Sequence, residues 1–99
     1  MSAAQTLERI AMEAEKEASS LRQIAAQLRR LGAQVTAAVG GTATGEDRTM
    51  LGYVRAIERD MERAANEFAN GARHARTAAA EERRREQDQQ QQQQRKRAR

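Results

Sequence analysis

The residues of this 99-residue chain best suited to chemistry are its charged ones, and cations crowd one end. Arg95, Lys96, Arg97 and Arg99 put four positive charges into five positions. Clustered cations bind phosphates by releasing counterions, so these four are the candidate anion-binding residues. No aromatic side chain lies near them to stack on a base. That argues against sequence reading and leaves a solvated tail without a specific ligand or a nonspecific anionic partner. His74 is the only histidine and there is no cysteine, so a metal site lacks ligands. Glu13/Glu17 and Glu58/Glu62 are carboxylate pairs one helical turn apart, but they belong to helix surfaces. General acid–base work needs a pocket that shifts their pKa values. The glycine-rich stretch Gly40-Gly41-Thr42-Ala43-Thr44-Gly45 lacks the Lys-Ser/Thr ending of a phosphate loop and follows no strand. It reads as a turn. The residues therefore supply no catalytic set, no metal site and no cofactor site, and the expectation is a protein that is not an enzyme.

That turn lies between two segments with helical periodicity. Glycine is costly inside a helix, by up to about 1 kcal/mol relative to Ala. Gly40 or Gly41 can take the left-handed conformation that ends a helix. Thr44 can cap the next helix, with Asp47 three residues on completing a capping box, and Gly45 follows the cap. Before the turn, Leu7, Ile10, Ala14, Leu21, Ile24, Leu28, Leu31, Val35 and Ala38 step by three and four, with Glu17 the only break. After it, Met50, Val54, Ile57, Met61, Ala64, Phe68, Gly71, Ala75 and Ala78 repeat the pattern. Such stepping is a heptad seam. Beside the first seam runs a small-residue stripe, Ala11, Ala18, Ala25, Gly32 and Val39; beside the second runs Ala65, Ala72 and Ala79.

The expected fold is all-α: an antiparallel two-helix hairpin with helices over about 5–39 and 46–80, the second open to extension. The seams should join the two helices, and the small residues beside them either let a second helix approach closely or leave a broad face for two neighbours. A lone hairpin buries little surface. The surplus apolar width therefore predicts a dimer, homodimeric or with a similar hairpin, forming a four-helix bundle. Its expected partner interface is Leu21, Ile24, Leu28, Leu31, Val39, Leu51, Val54, Ile57, Met61 and Phe68.

Charge divides the chain at residue 80. Residues 1–80 carry 11 basic and 10 acidic side chains, whereas 81–99 carry 7 and 4. Residues 1–80 are thus the expected hairpin domain. Residues 81–99, with a run of six glutamines, are expected to form a charged low-complexity tail, frayed or disordered. No apolar run is long enough for a membrane span. The N-terminal residues lack the basic start and apolar core of a secretory signal. The expected location is cytoplasmic, with any export by a non-Sec route.

Two long helices around a central glycine turn, in a chain of about this length, resemble the WXG100 (ESAT-6-like) family. Val39-Gly40-Gly41 stands where that family has Trp-x-Gly, with Val39 replacing the Trp. The stretch Gly41-Thr42-Ala43-Thr44-Gly45-Glu46-Asp47-Arg48 is similar to turns of divergent actinobacterial relatives. The family's Tyr-x-x-x-Asp/Glu export signal is not matched, since Tyr53 is followed four residues later by Ile57. The resemblance implies a dimerising hairpin that serves type VII secretion as substrate, partner or chaperone. The turn is expected to place Val39 and Met50 together with Leu51 or Tyr53 as a small apolar patch, which would take the role of the family's Trp against secretion machinery or an effector. Two other readings remain open: a coiled-coil protein that binds nucleic-acid phosphates through its basic tail, and a structural coiled-coil subunit.

Overall fold

The computed structural model describes residues 2–42 and 44–98. Two α-helices, α1 (Ala3–Val39) and α2 (Gly45–Arg97), are joined by a short 3-10 turn at Gly40–Thr42. The fold is an all-α helical hairpin, with no strand among the described residues. Local chemistry sets both starts. At α1, the Gln5 N–H donates to Ser2 Oγ at 3.1 Å and the Ser2 N–H donates to Gln5 Oε1 at 3.2 Å. At α2, the Asp47 N–H donates to Thr44 Oγ1 at 3.2 Å, and the Thr44 N–H returns a bond to Asp47 Oδ2 at 3.0 Å. Both are reciprocal capping boxes, satisfying backbone donors that a helix start leaves open. Gly40 ends α1 with φ of 59°, the left-handed conformation expected there.

The chain forms two compact units: Lys16–Phe68, which holds the turn, and Met1–Glu15 with Ala69–Arg99, which holds the chain ends. In the turn unit the residues closed off from solvent are Ala18, Ala25 and Ala65, each at most 2% exposed. In the end unit they are Ala4, Ala11, Ala72 and Ala79, likewise at most 2% exposed. No larger side chain is as deeply covered among the described residues. With only two helices in each unit, what covers an alanine on one helix is the other helix.

Of the two roles open to the alanine stripes, close approach holds: they join α1 to α2, and the bulky seams, expected to join the helices, lie to the side. The physical reason is width. One neighbouring helix covers only a narrow strip, and small residues on that strip let the axes approach to about 8 Å, the close end of helix packing. The spacing of seven keeps the strip on one side of each helix. Gly32, seven residues after Ala25, continues the stripe; a Cβ added there would meet Val54 Cγ1 at 3.9 Å, ordinary contact. Gly32→Ala is therefore expected to stabilise the hairpin by roughly 0.5–1 kcal/mol, because it removes the helix penalty of glycine without crowding. Thermal unfolding should register a higher midpoint, and a lower one would mean that the helices cannot accept the methyl group.

A second correction concerns residues 81–97, expected to fray or disorder. Helix α2 continues through them to Arg97. A helix already nucleated upstream extends without a new nucleation cost, and Gln, Glu and Arg all propagate helix well. Arg85 also pairs with Glu82 one turn back at 2.9 Å. Arg95, Lys96 and Arg97 sit in the last turn, where positive charge offsets the negative end of the helix dipole.

Candidate interaction face

In the turn unit, positions follow from about 100° of rotation per residue. Seen from Ala25, Leu21, Leu28 and Ile24 fall successively further round on one side, and Arg29 falls on the other. Seen from Ala65, Met61, Phe68 and Ile57 fall on one side, and Glu62 on the other. Because the helices are antiparallel, equivalent flanks of the two adjoin. The polar flanks meet through Arg29, whose Nε donates to Glu58 Oε1 at 2.8 Å and whose second guanidinium nitrogen reaches Glu62. The opposite flanks together make an apolar face.

Exposure grades across that face. The alanines are closed; Leu21, Leu28, Val54 and Met61 are half-buried. Ile24, Leu31, Ile57 and Phe68 remain 40–47% exposed. Four large apolar side chains left in water along one side are not the finish of a self-sufficient core. The end unit repeats the plan with smaller residues. Leu7, Ala14, Ala75 and Ala78 are half-buried there, and Ile10 is 48% exposed. Its polar edge carries the ion pairs Glu15–Arg76 and Glu8–Arg83.

Hydrogen bonding shifts Glu15, Arg29 and Asp47. The hydrogen bond from Arg76 holds the Glu15 carboxyl below its ordinary pKa. The bond to Glu58 raises the Arg29 guanidinium further. At the turn, the backbone bond from Thr44 lowers Asp47. These are structural carboxylates. Glu58 and Glu62, a candidate acid–base pair from spacing, share Arg29 between them. His74, Glu13 and Glu17 are exposed on their helices. No group of three or more His, Cys, Asp or Glu among the described residues is placed to hold a metal. No helix, among the described residues, is long and apolar enough to cross a membrane.

Of the turn residues, Gly40 carries the left-handed conformation, Thr44 the cap, Gly45 begins α2, and Gly41 lies in the 3-10 turn. The expected turn patch divides. Met50 and Tyr53 are 56% and 68% exposed and line a shallow hollow with Gly45, Glu46 and Thr49. Val39 and Leu51 are half-buried. Arg95, Lys96 and Arg97 are exposed, while Arg99 lies outside the described residues.

Sequence reasoning missed two things. The Ser2-x-x-Gln5 box was legible, as a Ser followed three residues later by Gln at the start of a periodic segment. The pairing of Arg29 with Glu58 and Glu62 had no local signal, because its members are 29 and 33 residues apart. No protein-family model matches the chain, and no curated protein and no solved structure matches it either.

Proposed function

We propose that this hairpin is a non-catalytic interaction module whose apolar face is completed by a second helical hairpin. The observation that carries the reading is the inversion of burial: alanines closed at 0–2%, and Ile24, Leu31, Ile57 and Phe68 left 40–47% exposed. A face of that kind gains stability only from an added apolar surface. Two such faces laid together give the four-helix arrangement that suits hairpins.

Following the family resemblance, the proposal extends to type VII secretion, with the chain as substrate, partner or chaperone. Met50 and Tyr53 are then the residues that take the place of the family's turn Trp, since they stand out at the turn and Val39 and Leu51 do not. The test is to follow a tagged chain in cells with and without the secretion ATPase, and to repeat it with Met50→Asp and Tyr53→Asp together. Chain in the medium that disappears on loss of the ATPase and drops at least about tenfold in the double variant is the expected result. Equal export in all strains would remove the secretion reading and leave the interaction module.

A further inference from the structure

Helix α2 outlasts its partner. The ion pair between Glu8 and Arg83 lies close to the start of α1 at Ala3, and α2 runs on to Arg97. Every described residue from Gln87 onward is exposed. Residues 81–97 contain no apolar side chain at all. We propose that this projecting arm binds the phosphate backbone of a nucleic-acid duplex without reading its sequence.

Three features select that ligand. The first is charge. Arg95, Lys96 and Arg97 carry three cations, the nearest acid on the helix is Asp88, and no ion pair among the described residues takes them up. The helix dipole offsets only about half a unit of charge at its C-terminal end, so a clear positive excess remains. The second is the lack of apolar surface. An interfacial helix needs a hydrophobic face to enter a lipid headgroup layer, and this arm has none. A second copy of the arm would find nothing to pack against. The third is the absence of an aromatic platform, which single-strand binding uses. What remains is a polar helix whose glutamines and cations suit hydrogen bonding and ion pairing to phosphate oxygens. This inference is independent of the apolar face.

The experiment measures binding of the full chain to a labelled DNA duplex of arbitrary sequence, by anisotropy over a salt series. The key variant is Arg95→Gln with Lys96→Gln and Arg97→Gln, which preserves helix propensity. A control variant removes the same charge elsewhere, through Arg9→Gln, Arg30→Gln and Arg63→Gln. Circular dichroism checks that all three chains are equally helical. The expected result is a log–log salt slope near −3 for the natural sequence, as three or four phosphate contacts give. The arm variant should bind at least about tenfold more weakly at low salt with a flatter slope, and the control should bind within about threefold. No binding by the natural sequence at low salt overturns the proposal. So does an arm variant no weaker than the control. Equal or tighter binding to phosphatidylglycerol vesicles would transfer the site from nucleic acid to lipid and overturn it also.

Discussion

Ala65→Leu should destabilise the hairpin by about 1–3 kcal/mol, although it adds a large apolar side chain to a helix that exposes others. At an ordinary coiled-coil seam the same change fills a hole and stabilises. Here Ala65 is fully closed between two helices, and a Leu would have to force the axes apart. Forcing them apart would also stretch the Arg29 link to Glu58 and Glu62 on the neighbouring flank. Ala25→Leu on α1 should act in the same direction. Thermal unfolding followed by circular dichroism provides the measurement. A raised midpoint for either variant would show that the helices meet along the bulky seams instead.

The second large effect concerns the other face. Ile24→Asp combined with Phe68→Asp should weaken association by at least about thirtyfold, equivalent to roughly 2 kcal/mol. Both side chains are more than one-third exposed in the single hairpin, so a carboxylate at either site keeps contact with water there. Once a second hairpin covers the face, the same carboxylates are buried without partners, which is strongly unfavourable. Sedimentation equilibrium should find the natural sequence above monomer mass and the variant shifted to monomer. The melting midpoint of the natural sequence should also rise with concentration, as linkage to association requires, and that of the variant should not. A natural sequence that stays a well-folded monomer at high concentration would defeat the proposed role of this face.

These two predictions also mark what could and could not be read from sequence. The turn was legible because its signals are local: a glycine for a positive φ, and Thr44 with Asp47 for a cap. The choice of contact strip was not. The alanine stripe and the bulky seam beside it share one period, so periodicity fixes the pitch of the helices without saying which strip lies innermost. Size decides that, through how closely two axes can approach. Hydrophobicity alone points to Leu and Ile, yet a single neighbouring helix is too narrow to cover alanine strip and seam together. The C-terminal residues posed a different ambiguity. Gln, Glu and Arg compose disordered segments and solvated helices alike. The difference lies upstream, in a helix already nucleated at Gly45 that these residues only have to continue.

The tight turn also sets an order in time. In the turn unit Arg29 meets residues 29 and 33 positions away, whereas Glu15 and Arg76 in the end unit are 61 apart. Closing the longer loop directly costs roughly 0.6 kcal/mol more of chain entropy for a doubling of length. If the nearer pairs form first, each later pair closes only a short additional segment. Loop entropy thus favours pairing that starts near Gly40 and extends outward over direct closure of the chain ends.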